Sequence, residues 1–317
     1  MLILICLPAG CRRPPPETVL LRYKFRPGEE ITYEVALRGE GEVTMTYGRE
    51  DAEEDRIGLP VRLEGSYLMR FRVDQVFPDG EAKLLLSYRD FDLTTVSAVH
   101  NREISVHLTD RKLLVSEAGR VTREVAGEDD DFPLRGVVGE EFEFQVNSRG
   151  TILMARVPEA PERLFPSLQF DSFLERMQPE FPLQPVPLGT SWSRTLEIPG
   201  PGIDRDWDQG EEWSIQLETT LRDRSGPQRE IALLDTTGSF RQEISDEERE
   251  GRAGLLASSH QLSGTTRFDL PAGRVISSTS RLEQKLDIRI GLEKFLPGRN
   301  IDLRVDATVE VTVRLRK

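Results

Sequence analysis

Three alternate aspartates have the residue type and spacing that can bind a hard cation. Asp204, Asp206 and Asp208 are followed by Gly210, a residue that allows a sharp turn. In an extended loop every second side chain points to the same side, and carboxylate oxygens are ligands that Ca²⁺ prefers. The glycine comes one place late for an EF-hand, and Ile215 stands where the closing glutamate would be. The segment therefore predicts either a Ca²⁺ site or a plain acidic loop between strands.

The remaining chemistry-bearing side chains form no constellation typical of an enzyme. The three histidines, His100, His107 and His260, are scattered, and none belongs to a His-Glu-x-x-His zinc pattern. The chain has no Gly-x-Ser-x-Gly elbow for a nucleophilic serine. Gly39-Glu40-Gly41 and Gly200-Pro201-Gly202 lack the helix and the lysine of a phosphate loop, so we expect turns there. We predict a protein that is not an enzyme and has no cofactor beyond the Ca²⁺ considered above.

Both cysteines of the chain, Cys6 and Cys11, lie in its apolar first residues. A short apolar run, two small residues and then a cysteine provide an insertable segment and a slim backbone that presents a thiol for acylation. Leu7, Ala9, Gly10 and Cys11 resemble the lipobox of bacterial lipoproteins. The resemblance implies a lipoprotein signal and a lipid on Cys11. The alternative is an apolar N-terminus that carries two unimportant thiols.

The residues after Cys11 predict an extended tether. Pro14-Pro15-Pro16 cannot form a helix or a central strand, because proline lacks the N–H and fixes φ. No later stretch approaches the ~20 apolar residues that span a bilayer as a helix. Together with the lipobox resemblance, this implies a protein of the bacterial cell envelope, on the periplasmic or outer-membrane face, whose membrane partner is reached through the N-terminal lipid.

Composition limits the partners and the size of the fold. The formal net charge of −13 argues against nucleic acid or an anionic membrane face as the main partner, since both need clustered Lys and Arg. A hydrophobic content of 37% is enough for a folded core. A length of 317 residues exceeds the usual single domain and favours two similar bodies or one large β-sheet structure.

Apolar side chains recur at every second residue, which is the period of a β-strand with one buried face. The clearest run is Ile301–Leu315, where polar and charged residues fill the alternate places. Long strands with one apolar face are typical of curved antiparallel sheets or barrels. The same alternation occurs in Ile31–Leu37, Tyr67–Val73, Ala82–Tyr88, Phe142–Val146, Trp213–Leu217 and Leu282–Ile290. Aromatic residues on these runs predict a filled core, with an apolar cavity as the alternative.

Turn residues separate the predicted strands and indicate an internal duplication. Pro78-Asp79-Gly80, Ser148-Arg149-Gly150 and Pro271-Ala272-Gly273 each read as a tight hairpin connection. The last two triplets have similar surroundings, and an amphipathic hairpin precedes each of them. The one convincing helix, about 160–177, and a proline-rich stretch, Pro179 to Pro187, lie between the two halves.

These features predict a mostly β fold: two related curved antiparallel sheets, half-barrel or barrel-like, with one short helix and a Pro-rich linker between them. The predicted boundaries follow from the changes in composition and periodicity. They are a lipoprotein signal (1–11), a Pro-rich tether (12–18), an N-terminal β domain (19–158), a helix plus Pro-rich linker (159–190) and a C-terminal β domain (191–317).

The chain resembles a loose class of uncharacterised exported bacterial lipoproteins. The resemblance is carried by an opening strand, Tyr23-Lys-Phe25-Arg-Pro27-Gly28-Glu29, by amphipathic hairpins, and by a Pro-rich segment that ends in Gly-x-x-Trp at Gly189–Trp192. More distantly it is similar to periplasmic carriers of lipids and lipoproteins, which have an apolar cavity. The resemblance implies a lipid-anchored binding or interaction module of the envelope, whose partner is a lipid or an envelope protein. A structural lipoprotein without a ligand is the alternative, and a hydrolase that uses Asp and Glu side chains is the third hypothesis.

Overall fold

The structure is a computed structural model that describes residues 17–48, 55–97, 102–127, 138–156, 179–198, 213–243, 254–291 and 300–316. Every regular element in these ranges is a β-strand, which confirms the predicted fold class. The strands are β1 Thr18–Val19, β2 Glu30–Gly48, β3 Asp55–Val76, β4 Ala82–Ser97, β5 Arg102–Leu108, β6 Lys112–Glu117, β7 Arg120–Ala126, β8 Phe142–Val146, β9 Ile152–Arg156, β10 Val186–Pro187, β11 Ser191–Ile198, β12 Trp213–Ser225, β13 Ile231–Glu243, β14 Gly254–Asp269, β15 Arg274–Gly291 and β16 Asn300–Leu315.

Fourteen of these strands form one antiparallel sheet. Its order is β11-β12-β13-β14-β15-β16-β2-β3-β4-β5-β6-β7, and β8 pairs with β4 and β9. The last long strand, β16, pairs with the first long strand, β2, from Asn300↔Gly48 to Leu315↔Tyr33 without a register shift. The two sheets expected from the sequence are therefore continuous with each other at this seam. β1 and β10 form a separate two-stranded sheet.

The register aligns the apolar alternation of the strands across the whole sheet. Because side chains alternate between faces, each paired row lies on a single face. One such row consists of Leu221, Leu234, Thr266, Ser278, Val313, Val35 and Tyr67. We call the face that carries this row the inner face, and the opposite one the outer face. The inner face holds the buried core, so the period-two prediction for β2, β3, β4, β8, β12 and β16 is confirmed.

The outer face is charged, and opposite charges sit directly across from each other on β15 and β16. Arg289 donates two hydrogen bonds to the Asp302 carboxylate, at 2.7 and 3.0 Å. Arg304 donates to the Asp287 carboxylate at 2.8 Å, two residue pairs further along the ladder on the same face. Each exposed pair contributes little to stability, but a one-residue slip would move all of these charges to the inner face. The charges therefore help to specify the register.

Glycines on the inner face mark where the sheet bends. A Cβ at Gly41 would lie 2.8 Å from the Cα of Ala307, and one at Gly65 would lie 2.9 Å from the Asp92 carbonyl oxygen. Real Cβ atoms do not approach backbone this closely, so the neighbouring strand closes in on the inner side. We conclude that the inner face is concave here. The prediction of a turn at Gly39-Glu40-Gly41 is wrong, because these residues lie inside β2. The glycine at position 41 allows the close strand approach at the bend.

The predicted hairpin connections are confirmed. Gly80 has φ 87° between β3 and β4, Gly150 has φ 94° between β8 and β9, and Gly273 has φ 65° between β14 and β15. The helix predicted at 160–177 lies outside the described residues. Within the described ranges no helix is long and apolar enough to cross a membrane.

Replacing Gly41 with alanine should destabilise the protein. The new methyl group would collide with the β16 backbone, which can move only if the seam opens, so we expect a loss of about 1–3 kcal/mol in the free energy of unfolding. Urea unfolding followed by circular dichroism measures it. Gly58→Ala is the matched control on β3, because a Cβ there would meet only the flexible Glu42 side chain. Equal stability losses in the two variants would contradict the bend at Gly41.

Candidate functional site: the inner face of the long sheet

Aromatic side chains fill one end of the inner face. The Phe181 and Phe268 rings make an edge contact with centroids 4.7 Å apart, and Tyr23 stacks on Phe181 at 5.1 Å. Tyr33 and Phe71 meet edge-on at 5.9 Å. All five belong to one buried cluster, which also includes Tyr67, Tyr88, Phe142 and Phe144. This end, which we call the closed end, confirms the prediction that the aromatic residues fill a core.

Two chain segments form a cap over the closed end. We define the cap as residues 17–29 and 179–190, which contain β1 and β10 and pair through Val19↔Val186. Phe181 of the cap is fully buried in the aromatic cluster. Its N–H donates to the Arg149 carbonyl, and the Trp192 indole N–H donates to the Glu180 carbonyl at 2.7 Å. The cap thus connects the Pro-rich segment to both sequence halves.

The cap also bridges two hairpin turns, the one at Gly150 and the one at Gly273. The Tyr23 N–H donates to the Ser148 carbonyl at 2.7 Å, and the next N–H, of Lys24, donates to the Gly273 carbonyl at 3.1 Å. A Cβ at Gly150 would lie 2.5 Å from the Tyr23 ring, and one at Gly273 would lie 2.5 Å from the backbone nitrogen of Lys24. Glycine is therefore needed at both turns for a steric reason as well as for its positive φ.

An ion pair and a buried hydroxyl tie the same segment to β15. Arg274 donates to the Glu29 carboxylate at 2.6 Å, and both side chains are mostly buried. Nearby, the Tyr33 hydroxyl donates to the Val275 carbonyl at 3.1 Å. Removing one member of a largely buried pair leaves an uncompensated charge, so this pair makes the closed end rigid rather than adaptable.

Beyond the closed end, the inner face is aliphatic and incompletely covered. The row of Leu286, Val305, Val43 and Leu59 crosses from β15 to β3. Val43, Leu59 and Val305 are half-buried, and none of them belongs to a buried cluster of the described residues. On β3, Ile57 and Val61 expose 44% and 36% of their surface. We call the inner-face residues of β2, β3, β15 and β16 beyond Leu37 the aliphatic face.

Polar side chains interrupt the inner face on β12 to β15. The Thr219 and Thr236 hydroxyls lie 3.1 Å apart, and those of Thr266 and Ser278 lie 2.9 Å apart. Further along β14, Ser258 and His260 are buried. A hydroxyl pair that satisfies itself can lie beside hydrocarbon at small cost. The aliphatic face is therefore continuous on β3, β2 and β16 and becomes mixed toward β12.

Two open grooves lie on the outer face of β11 to β15. The larger has a volume of about 500 Å³ and the smaller about 440 Å³. Hydroxyl, amide and charged side chains such as Ser239, Gln261 and Asp235 line them. Neither groove is lined by the alternate apolar positions that the predicted ligand surface requires. The apolar positions form an open face instead.

The candidate residues identified from the sequence all fall outside the described ranges. Cys11 precedes residue 17, and Asp204, Asp206 and Asp208 lie in 199–212, so the lipidation and Ca²⁺ hypotheses stay predictions. Within the described ranges, no three metal-ligating side chains come together. Sequence reasoning missed the bend glycines and the cap, since neither leaves a local pattern that distinguishes it from a turn or a linker.

Comparison with known proteins gives two structural similarities. No protein-family model and no curated protein matches the chain. A structure described as lipid-protein interactions in lipovitellin is 12% identical, with a TM-score of 0.42 over 93% of this chain, which spans 26% of that chain. An outer membrane channel from Pseudomonas putida F1 is 10% identical, with a TM-score of 0.19 over 93% of this chain and 97% of that one. At such TM-scores neither similarity assigns a fold or a function to this chain.

The buried phenols predict a sharp alkaline limit to stability. Burial raises the pKa of Tyr23, Tyr33, Tyr67 and Tyr88 well above the value of a free phenol. Below pH 10 both folded and unfolded chains are protonated at these sites; above it only the unfolded chain ionises, so stability falls as pH rises past about 10. In an absorbance titration at the phenolate band, we expect these four to ionise only together with unfolding. Because the chain has five tyrosines, reversible ionisation of two or more phenols near pH 10 with an unchanged circular dichroism spectrum would show that the closed end is not packed as described.

Proposed function

We propose that the protein is a lipid-anchored binding module of the bacterial cell envelope that receives an alkyl chain on its aliphatic face. The observation that carries the proposal is the difference between the two parts of the inner face. The closed end is filled by its own aromatic rings, whereas the half-buried Val43, Leu59 and Val305 belong to no buried cluster in the described part of the chain. Partly exposed aliphatic surface gains about 25 cal/mol for each Å² that a ligand removes from water.

The chemistry of this face favours a hydrocarbon chain over a protein partner. Protein interfaces draw most of their affinity from Trp, Tyr and Arg anchors. The row from Leu286 through Val305 and Val43 to Leu59 contains none of these residue types. Branched aliphatic side chains on a concave sheet offer non-directional contact, which suits a flexible chain that has no polar groups to match. The ligand class is therefore an acyl chain or an amphipathic lipid.

A structural role is the second candidate, because the aromatic cluster shows that part of this sheet needs no ligand. Saturable binding of a free acyl chain separates the two functions. The direct measurement is titration with cis-parinaric acid, whose fluorescence rises when its chain leaves water. Mass spectrometry of lipids that copurify with the native protein identifies the natural ligand.

Substituting Val43 and Val305 with threonine should weaken that binding. Threonine keeps the shape and the β-propensity of valine but places a hydroxyl in the aliphatic row, so two substitutions should cost about 1.6 kcal/mol, or about fifteenfold in Kd. Fluorescence titration with cis-parinaric acid measures the change. The control is Thr44→Val with Thr308→Val, whose side chains lie on the outer face of the same two strands. If the control weakens binding as much as the inner-face pair, or if the parent protein does not bind, the aliphatic face is not the receptor.

The anchoring part of the proposal rests on the lipobox resemblance and has its own test. In a bacterial host, the purified chain should begin at Cys11 and carry acyl chains on that residue. Mass spectrometry of the N-terminal peptide reads both the cleavage and the acylation. Cys11→Ser should abolish them and release the protein from the membrane fraction, while Cys6→Ser should change neither. An unmodified Cys11 in the parent protein would refute the anchor and leave the acyl-binding test unaffected.

A further inference from the structure

The outward side of the cap exposes leucines. Val19, Leu21 and Tyr23 are buried, so the alternate Leu20 points outward and is 52% exposed. Leu183 is the most exposed large hydrophobic side chain of the described residues, at 71%, and Leu188 is also exposed. Single exposed leucines are ordinary, but three fall within the two short cap segments, and the hydrogen bond from Arg22 to the Leu183 carbonyl brings the Leu20 segment beside Leu183. Such a surface favours contact with another apolar phase.

Two cations accompany these leucines. The Arg22 guanidinium donates to the carbonyl oxygens of Pro182 and Leu183, and the Lys24 ammonium donates to those of Leu270 and Pro271. Backbone carbonyls orient these groups without neutralising their charge. In a chain with a formal net charge of −13, this part of the surface therefore presents local positive charge. We call Leu20, Arg22, Lys24, Leu183 and Leu188 the cap patch.

Leucines beside cations fit the boundary of a lipid bilayer. Leucine side chains enter the acyl boundary, while lysine and arginine meet lipid phosphates, each cation contributing about 1 kcal/mol near an anionic surface. A protein partner would instead require aromatic anchors or opposing carboxylates. The cap patch contains no aromatic residue.

The position of the N-terminal segment points to the same partner. The described chain begins at Glu17, whose carboxylate pairs with Arg229 at 2.9 Å beside the cap. Five residues lie between Cys11 and Glu17, and the six steps of a fully extended chain between them reach at most about 20 Å. A lipid on Cys11 would hold the cap within that distance of the bilayer. This step rests on the proposed anchor, whereas the composition of the patch does not.

We propose that the cap patch lies on the membrane surface and that the closed end of the sheet faces the bilayer. The leucines enter the lipid boundary, and Arg22 and Lys24 face the phosphates. From Val35 to Met45, β2 runs about 30 Å away from the closed end. The aliphatic face therefore begins away from the bilayer and continues outward, where it can accept an acyl chain from, or pass it to, a soluble or distant partner.

Depth-dependent quenching tests this orientation. The full chain, extracted in detergent and reconstituted in phosphatidylethanolamine–phosphatidylglycerol vesicles, is labelled with an environment-sensitive dye at Leu20→Cys or Leu183→Cys. The parent chain gives the background from Cys6 and Cys11. Lipids with a quencher on the acyl chain should quench both cap positions severalfold more than a dye at Val121→Cys, a control position on β7 that is 59% exposed and that the register places level with Arg38, beyond the closed end. Lys24→Gln should reduce the quenching at the Leu183 position at low salt.

Each outcome decides the proposal independently of the acyl-binding function. Equal quenching at the two cap positions and the control overturns the orientation, as does a dye shift that occurs in native membranes but not in lipid vesicles, which would indicate a protein partner. The N-terminal peptide mass reports the anchor separately. If the cap positions are quenched in a chain whose Cys11 is not acylated, the leucines and cations of the cap patch bind the bilayer without the anchor, which supports the proposal. An acylated chain without cap quenching overturns the orientation while leaving cis-parinaric acid binding to judge the aliphatic face.

Discussion

The structure depends on the unbroken register between β16 and β2. This ladder joins the end of the chain to its beginning and places Val313 beside Val35 and Val305 beside Val43. Because the side-chain period of a strand is two, a shift of one residue would exchange the apolar and charged sets over the entire seam. One inner face can exist across both sequence halves only while this register holds. The closed end, the bend and the aliphatic face all follow from it.

The two ends of the inner face differ because aromatic and aliphatic side chains have different geometric requirements for packing. Aromatic rings such as Phe181 and Phe268 bury large areas but prefer particular edge and offset geometries, so they need fixed neighbours. The cap provides these fixed neighbours, and its backbone hydrogen bonds and the Glu29–Arg274 ion pair hold it in place. Valine and leucine have no such directional requirement. The rows that belong to no buried cluster of the described residues, such as Val43 and Val305, are therefore the rows that we propose as a surface for a ligand of variable shape.

Much of this fold could be predicted from the sequence, and the limits have physical causes. The alternation in Ile301–Leu315 and the turn at Gly80 report local periodicity and φ, so strands and hairpins were predictable. The β16–β2 seam was not, because pairing between the ends of a chain leaves no local pattern. Gly39 and Gly41 were misread as a turn, since glycine marks both turns and close strand approach. The cap could not be derived, because a Pro-rich segment does not indicate what it packs against.

The aliphatic face and the polar grooves were distinguishable only from three-dimensional pairing. Alternation predicts that one face is apolar, but it does not say which rows are covered. Leu37 packs against the buried cluster, whereas Val43 on the same strand and face does not. Val43 lies about 20 Å further along β2 than Leu37. In the described part of the chain, the strands therefore extend past the rows that the buried cluster reaches, and this excess length provides the candidate binding surface.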